Sequence, residues 1–263
     1  MAEPGFEALR WEVAGGIATI TLDRPEALNS LEGRLKTELL DAIRQAGRDS
    51  SVRVVILTGA GRAFCAGQDL KERLQPDPTP LDVEVRERFN PIVSAIRLLD
   101  KPVIAAVNGV AAGAGASLAF AADLRIASES ASFVLAFGRI GLIPDSGATW
   151  LLPRLVGLGR ATELMLLPDP LLAAEALRIG LVNRVVPATR VVDEAIAIAE
   201  RIGENSPIAV RNSRRLVREA AELTEAEGFK RTMELMMPVF ESGDAVEGAT
   251  AFAEKRPPVW RST

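Results

Sequence analysis

Two apolar segments, Val52–Thr58 (VRVVILT) and Pro102–Val107 (PVIAAV), constrain the fold of this 263-residue chain more than any other feature. Each is short, rich in β-branched residues and predicts a buried strand. Apolar residues recur at helical spacing over Glu32–Ala46, before the first strand, and over Val83–Leu99, before the second. Strands that alternate with helices predict an α/β fold.

Shorter segments extend this prediction. A strand pair is expected at Ala8–Val13 and Ile17–Leu22, and two short strands at Leu124–Ala127 and Ser132–Val134. After Leu152 the pattern predicts only helices, at Arg160–Leu166, Ala173–Ile179, Val192–Glu204, Pro207–Leu223 and Glu225–Glu241. We therefore expect an α/β core over residues 1–200 and a helical region over residues 201–263. The helical region is apolar enough to pack on the core or on another subunit.

Composition argues against several classes of partner and compartment. The net charge of −4 gives the chain as a whole no attraction for nucleic acid or an anionic membrane. No apolar stretch approaches the roughly 20 residues that a membrane-spanning helix needs, and the first residues do not resemble a signal peptide. The single cysteine, Cys65, excludes an intrachain disulfide. Together these features predict a cytoplasmic protein.

The chain contains no histidine and no tyrosine, which removes whole mechanisms. A Ser-His-Asp triad and a histidine-based metal site are impossible, and one cysteine cannot form a thiolate cluster, so no metal site is expected. A general acid or base must therefore be an aspartate, a glutamate, a lysine or Cys65.

Three segments could carry chemistry. Gly61–Leu70 (GRAFCAGQDL) and Asn108–Leu118 (NGVAAGAGASL) each follow a buried strand, and the second opens a helix, where backbone N–H groups are unpaired. Two such loops side by side can direct two N–H groups at one oxygen and form an oxyanion hole. Alone, the pattern favours the alternative that glycine and alanine only permit tight packing. In Gly138–Pro153 (GRIGLIPDSGATWLLP), Asp145 is a helix N-cap or a catalytic group, and the cap is favoured on this evidence.

The order and spacing of six segments resemble the crotonase (enoyl-CoA hydratase/isomerase) superfamily over nearly the whole chain. These segments are DRPEALNSL, GRAFCAGQDL, AAVNGVAAGAGASLAFAADLRIA, GLIPDSGATWLLPRLVG, AAEALRIGLVNRVVP and AFAEKRPP. The resemblance implies a β-β-α spiral core with a C-terminal helical subdomain, assembled as a trimer or a dimer of trimers. It implies an acyl-CoA substrate whose thioester enolate is stabilised by two backbone N–H groups, with no metal or redox cofactor.

The resemblance also implies site residues. The two oxyanion donors correspond to the amides of Ala66 and Ala114. The residues expected to bind substrate and CoA are Ala27, Leu28, Gly67, Gln68, Asp69, Leu70, Gly113, Pro144, Phe252 and Lys255. In the family, the segment that contains Phe252 and Lys255 can hold the nucleotide end, sometimes across a subunit boundary.

The chain departs from the hydratases of the family at two positions. Their two catalytic glutamates correspond to Ser117 and Phe137, so efficient hydration is not expected. Asp145, in contrast, corresponds to the catalytic acid of several isomerases, and its surroundings resemble those of isomerases that act on 1,2-epoxyphenylacetyl-CoA in phenylacetate catabolism. This resemblance favours a catalytic Asp145 and predicts an isomerase that can also shift an enoyl double bond from Δ3 to Δ2. The alternatives are a hydratase-like lyase and a noncatalytic acyl-CoA-binding protein.

Some polar residues have ordinary structural interpretations. Cys65 is expected to be a buried filler, since no activating base is evident. Asp69 can contact CoA or cap the short helix that follows it. Arg211, Arg214, Arg215 and Arg218 lie on one predicted helix, where a solvated face is the default and a subunit contact is the alternative.

Overall fold

The structure, a computed structural model, describes residues 5–261. Residues 1–4 and 262–263, which the two predicted regions include, lie outside the described part. Ten strands form two sheets. They are β1 Leu9–Ala14, β2 Ile17–Leu22, β3 Val54–Gly59, β4 Ala63–Cys65, β5 Val103–Val107, β6 Val110–Ala112, β7 Leu124–Ser128, β8 Ser132–Val134, β9 Leu171–Leu172 and β10 Arg184–Val186. The six-stranded sheet has the order β1-β2-β3-β5-β7-β10, and the four-stranded sheet has the order β4-β6-β8-β9.

Twelve helices surround the sheets. They are α1 Gly33–Arg48, α2 Leu70–Arg73, α3 Leu81–Val83, α4 Asn90–Leu98, α5 Ala114–Ala121, α6 Ala148–Val156, α7 Leu158–Leu166, α8 Ala173–Arg178, α9 Val191–Gly203, α10 Pro207–Ala220, α11 Glu225–Glu241 and α12 Asp244–Glu254. A π-helical turn over Glu84–Phe89 joins α3 to α4.

One pattern is repeated along the core. A strand of the large sheet is followed at once by a strand of the small sheet, as β3 by β4, β5 by β6 and β7 by β8. A helix follows the second strand in the first two repeats, and the strands of each sheet are parallel from one repeat to the next. The β-β-α spiral core and the α/β fold class are therefore confirmed.

The large sheet is covered on both faces, which explains the apolar sequence of its central strands. Alternate side chains of a strand point to opposite faces. In β3, Val55 and Leu57 join the main core, whereas Val54 and Ile56 join a second cluster with Val191 and other residues of α9. Every residue of β3 and β5 is buried.

The structure corrects the sequence prediction in several places. Both predicted small-residue loops contain a short strand, β4 in the first and β6 in the second. These strands were not predicted, because three residues are too few to show the alternation of period two that identifies a strand. The expectation of helices alone after Leu152 is wrong, since β9 and β10 lie there. Helices α6 and α12 were not predicted. Each begins after a glycine with positive φ and lacks a side-chain cap, so the usual start signal is missing.

Ion pairs between partly buried side chains hold helix α10 against the core. Arg214 and Arg218 both pair with Asp123, at 2.7 Å each. Both guanidinium groups also donate to backbone carbonyls near the end of α4, including Ile96. The prediction of a solvated arginine face is therefore wrong for Arg214 and Arg218, whose charge neutralises a partly buried aspartate.

Candidate active site

The two small-residue loops meet at Gly67. This residue follows β4 and has φ +87°, a conformation that glycine adopts readily. A Cβ atom added at Gly67 would lie 2.7 Å from the Ala112 carbonyl oxygen and 3.3 Å from the Ala114 nitrogen. The backbone around Gly67 therefore lies directly against the first residue of α5. The prediction that these loops lie side by side agrees with this contact.

Tight packing is also a reason for the small residues. A Cβ atom added at Gly115, in α5, would lie 2.1 Å from the Cys65 carbonyl oxygen. Only glycine permits this approach of the helix to β4. The packing interpretation and the oxyanion interpretation are thus compatible, because close packing brings the helix N-terminus to the loop.

The N–H of Ala66 is already engaged. It donates a 3.0 Å hydrogen bond to the Leu28 carbonyl oxygen. This geometry contradicts the expectation that the Ala66 N–H is free to bind a thioester oxygen. The correction concerns Ala66 alone, since the N–H of Ala114 has no backbone acceptor within residues 5–261.

The backbone N–H that is free to bind a ligand is instead that of the neighbouring residue Gln68. Leu31 donates to the Gly67 carbonyl and accepts from the Asp69 N–H, at 2.7 and 3.2 Å. In such a parallel bridge the intervening residue, Gln68, points its N–H away from the partner strand. No acceptor for that N–H occurs in the described part of the chain. The sequence analysis placed Gln68 only among the residues expected to bind substrate and CoA. The Leu31–Gln68 bridge, which identifies the free amide, is a tertiary contact.

Asp145 is not a helix cap. Helix α6 begins at Ala148, its N-cap is Gly147, and no side chain caps it. The Asp145 carboxylate is half-buried and accepts a 2.8 Å hydrogen bond from the Ser146 hydroxyl. Burial raises the pKa of Asp145 above its ordinary value, and the Ser146 hydrogen bond partly opposes that rise.

Ser117 and Phe137, the residues that the resemblance places where hydratases carry glutamates, both lie near Gly113. Ser117 is buried in α5, and its hydroxyl lies 3.4 Å from the carbonyl oxygens of both Gly113 and Asp145. The ring of Phe137 is buried and would lie 3.7 Å from a Cβ atom at Gly113. Gly67, the ring of Phe137 and the Asp145 segment therefore all lie near the start of α5.

Asp69 has a structural role that the sequence left open. Its carboxylate accepts from Arg24 and the Ser30 hydroxyl at 3.0 Å each, and caps α2 through the Lys71 N–H at 3.0 Å. Burial raises its pKa, but these hydrogen bonds outweigh burial and the net shift is downward. The cap interpretation agrees with the structure, and the carboxylate is directed into the protein.

The other predicted substrate-binding residues divide into two groups. Ala27 and Leu28 lie in the turn before α1, where Leu28 accepts the Ala66 N–H, and Leu70 begins α2 with half of its surface exposed. Pro144 directly precedes Asp145 and is half-buried. The C-terminal pair is separate from these. Phe252, 87% exposed, lies on α12 and Lys255 caps its end, and no hydrogen bond or ion pair within residues 5–261 joins them to the site.

Cys65 is the last residue of β4 and directly precedes Ala66. The side chain is fully buried, and desolvation raises the pKa of its thiol to about 12. A thiol with this pKa is a poor nucleophile at neutral pH.

Two further properties concern the part of the chain that the structure describes. It contains no group of three acidic or cysteine side chains placed to hold a metal ion, and no helix suited to span a membrane.

Comparison with known proteins decides the family. Residues 12–263 match the family described as enoyl-CoA hydratase/isomerase. The chain belongs to this family. It is 41% identical over 261 residues to 1,2-epoxyphenylacetyl-CoA isomerase of Escherichia coli (strain K12), covering 96% of this chain and 98% of that protein.

Other members of the enoyl-CoA hydratase/isomerase family are similar to nearly the same degree. A probable enoyl-CoA hydratase of Rhodobacter capsulatus is 40% identical, covering 96% of this chain and 97% of the relative. The crystal structure of enoyl-CoA hydratase from Bacillus anthracis superposes with a TM-score of 0.94 at 38% identity, covering 98% of this chain and all of the other. This chain is therefore an acyl-CoA enzyme of the family, and identity alone does not separate isomerase from hydratase.

Proposed function

We propose that this family member is an isomerase of acyl-CoA thioesters and that Asp145 is its proton-transfer group. The proposal rests on the environment of the Asp145 carboxylate. This carboxylate is half-buried beside the start of α5, caps no helix and has a raised pKa, while Ser117 and Phe137 occupy the two positions of the hydratase glutamates. A carboxylate in this state is a suitable general base near neutral pH.

The proposed mechanism begins with the thioester oxygen between the N–H groups of Gln68 and Ala114. These dipoles stabilise the negative charge that develops on the oxygen as the enolate forms. In a 3-enoyl-CoA, Asp145 removes a proton from C2, and the electron pair is delocalised over the thioester and the C3–C4 double bond. Asp145 then returns the proton to C4, which leaves the double bond between C2 and C3. No atom is gained or lost.

The favoured substrate of the proposal is 2-(1,2-epoxy-1,2-dihydrophenyl)acetyl-CoA, which rearranges to the seven-membered oxepin thioester. Support comes from the 41% identity to the isomerase named for this substrate. The buried Phe137 ring beside Gly113 adds to this support, because an apolar wall suits a ring-bearing acyl group.

For the CoA moiety, we propose contacts with Ala27, Leu28, Gly67, Gln68 and Leu70. Asp69 contributes indirectly, by fixing α2 and Arg24. Phe252 and Lys255 are proposed to reach the nucleotide of a neighbouring subunit, which accords with their exposure on α12. Beyond the acyl-CoA substrate, the proposal requires no cofactor.

A hydratase-like lyase is the second candidate, favoured by the 40% identity to a probable enoyl-CoA hydratase. Hydration requires a base for water and an acid for the α-carbon. Asp145 would have to serve both steps, since Ser117 is unsuited to replace a glutamate. A noncatalytic acyl-CoA-binding protein is the third possibility, and it would turn over neither substrate.

The test is the replacement Asp145→Asn, which preserves shape and removes the base. We expect turnover of a 3-enoyl-CoA and of the ring-epoxide thioester to fall by ~10²–10⁴-fold, with little change in acyl-CoA affinity. The matched control is Asp169→Asn, at an exposed aspartate that pairs with Arg139. Near-wild-type turnover by Asp145→Asn would refute the mechanism, and rapid hydration of crotonyl-CoA by the wild type would favour the lyase.

A further inference from the structure

Ser146 adopts a backbone conformation that is unusual for its residue type. Its φ is +51°, and it is followed by Gly147 with φ +79°. A non-glycine residue in the left-handed region is disfavoured by contact between its Cβ atom and the backbone. Such outliers persist where the surrounding structure fixes them, and they concentrate at functional sites. Glycine would adopt this conformation without the steric cost, so the serine side chain needs an explanation.

The hydroxyl of Ser146 has one described partner. The residue is buried, and its Oγ lies 2.8 Å from Oδ1 of Asp145, to which it donates. The carboxylate also accepts from the N–H of Asp145 itself, and within residues 5–261 the one hydrogen bond from another residue goes to Oδ1. The two carboxylate oxygens are therefore inequivalent.

The backbone of Asp145 is held separately from its side chain. Its carbonyl oxygen accepts from the Ala148 N–H at 2.9 Å and lies 3.4 Å from the Ser117 hydroxyl. These contacts fix the main chain, but the carboxylate can still rotate about its side-chain bonds. Two described contacts restrict this rotation, the hydrogen bond from the Ser146 hydroxyl and the one from the N–H of Asp145 itself.

We propose that Ser146 is a positioning residue that holds Oδ1 of Asp145 and thereby presents Oδ2 as the oxygen that exchanges the proton with the acyl chain. The proposal rests on the proposed function, because it assumes that Asp145 transfers the proton. It extends that function by assigning different roles to the two carboxylate oxygens.

Charged groups on the surrounding elements are engaged elsewhere. Arg139, in the turn after β8, pairs with Asp169. The guanidinium groups of Arg97, in α4, and Arg154, in α6, both lie over the ring of Trp150, at 4.0 and 3.7 Å from its centroid. Helix α5 carries no charged residue. None of these groups forms an ion pair with the Asp145 carboxylate, so the Ser146 hydrogen bond is the main described contact that stabilises its charge.

The experiment is a double-mutant cycle on the isomerisation of a 3-enoyl-CoA, with Ser146→Ala, Asp145→Asn and the double variant. Loss of a hydrogen bond to a charged group typically corresponds to roughly 10–100-fold, and we expect kcat of Ser146→Ala to fall within this range with KM nearly unchanged. In the Asp145→Asn background, Ser146→Ala should change kcat less than about 2-fold, because the two residues act as one unit. The acid limb of the kcat–pH profile should also move to higher pH in Ser146→Ala.

Ser146→Gly separates positioning from folding. It relieves the backbone strain and also removes the hydroxyl, so we expect the same loss of kcat with a Tm within about 4 °C of the wild type. Ser130→Ala, which removes an exposed hydroxyl bonded to Ser128, is the control and should leave kcat unchanged.

The outcomes are distinguishable. If Asp145→Asn retains wild-type turnover, the proposed function fails. If Asp145→Asn is impaired but Ser146→Ala keeps both kcat and the acid limb of the wild type, the positioning role alone is wrong. Equal losses from Ser146→Ala in both backgrounds, with a lowered Tm, would overturn the positioning role in favour of a purely structural one.

Discussion

Gly67 determines how closely the two backbone segments of the candidate site approach each other. Its positive φ and its distance to the Ala112 carbonyl leave no room for a side chain. Any residue with a Cβ atom must move this loop away from α5. The amides of Gln68 and Ala114, which we propose to bind one thioester oxygen, would then be moved apart.

We therefore expect Gly67→Ala to lower kcat/KM by at least ~10²-fold, the usual effect of losing one oxyanion donor. The control is Gly159→Ala, because a Cβ atom there meets nothing within 4 Å. Steady-state kinetics of both variants, with circular dichroism to verify folding, makes the test. Wild-type kinetics in Gly67→Ala would show that the two loops do not form the oxyanion site.

Asp145 links activity to pH and to stability. Because desolvation raises its pKa above 3.8, the ionised base is lost at a higher pH than for an ordinary aspartate. Activity should fall as pH decreases through this raised pKa. The stability of the fold changes with pH in the opposite direction to the activity. The contribution of Asp145 to stability is fully present below pH 3.8 and is lost as pH rises through the folded-state pKa, because the buried negative charge destabilises the native state.

Asp145→Asn should consequently be more stable than the wild type at neutral pH and unfold at a higher denaturant concentration, because the variant removes a partly buried charge. The difference should shrink at acidic pH, where the wild-type carboxyl is also neutral. Urea denaturation of both proteins at several pH values measures this. A variant that is less stable at neutral pH would mean that the carboxylate stabilises the fold.

At the scale of elements, a buried charge cluster joins α1 to the segment before α4. Lys36 lies on the buried face of α1 with 2% of its surface exposed. Its ammonium pairs with buried Glu84 and, at 2.9 Å, with Glu72. Glu84 also forms an ion pair with Arg88, at 3.2 Å. Because α4 contacts both α1 and α5, this cluster fixes a helix that adjoins the site.

Lys36→Met should destabilise the protein by about 3–5 kcal/mol, because it leaves the carboxylate of Glu84 buried with less compensation. The double variant Lys36→Met/Glu84→Leu should recover part of this loss, since it removes both charges. Urea unfolding measures the effect, and Lys71→Met at an exposed lysine is the control. If the double variant were less stable than Lys36→Met, the cluster would not act as a pair of compensating charges.

At the scale of the whole molecule, the apolar surface of α11 needs a partner. Its exposed apolar side chains recur at helical spacing and form one stripe, consisting of Phe229, Met233, Met236, Met237 and Phe240. A stripe of this kind on an otherwise polar helix usually marks an interface. We propose a second copy of the chain as the partner, in an assembly of three subunits or a multiple of three.

Light scattering at micromolar concentration should give a mass three or six times 28.1 kDa. The double variant Met233→Lys/Phe240→Glu should lower this mass by placing charges in the interface, whereas Val13→Glu on the edge strand β1 should not. A monomeric wild type would refute the proposed assembly. If Phe252 and Lys255 reach a neighbouring subunit, dissociation should also weaken acyl-CoA binding.

Much of the fold and part of the site were predictable from local sequence. The apolar runs at β3 and β5, the periodicity of α1 and the matching bounds of β2, β8 and α11 are local signals, because burial of a strand or a helix face dictates residue type at a fixed period. The absence of histidine limited the possible general acids and bases before any contact was known. The significance of Ser117 and Phe137 came from the resemblance to the family and not from a local signal.

Tertiary structure alone decided which polar groups are free. Nothing local distinguishes the amide of Ala66 from that of Gln68. The Ala66 N–H donates to Leu28 and the Gln68 N–H is left free by the bridge to Leu31, and both of these segments lie about forty residues earlier in the chain. The same holds for Arg214 and Arg218, whose shared partner Asp123 lies more than ninety positions earlier in the chain. Sequence determines which groups exist and which segments are buried. The availability of an amide or a carboxylate depends on distant segments, which only the folded chain brings together.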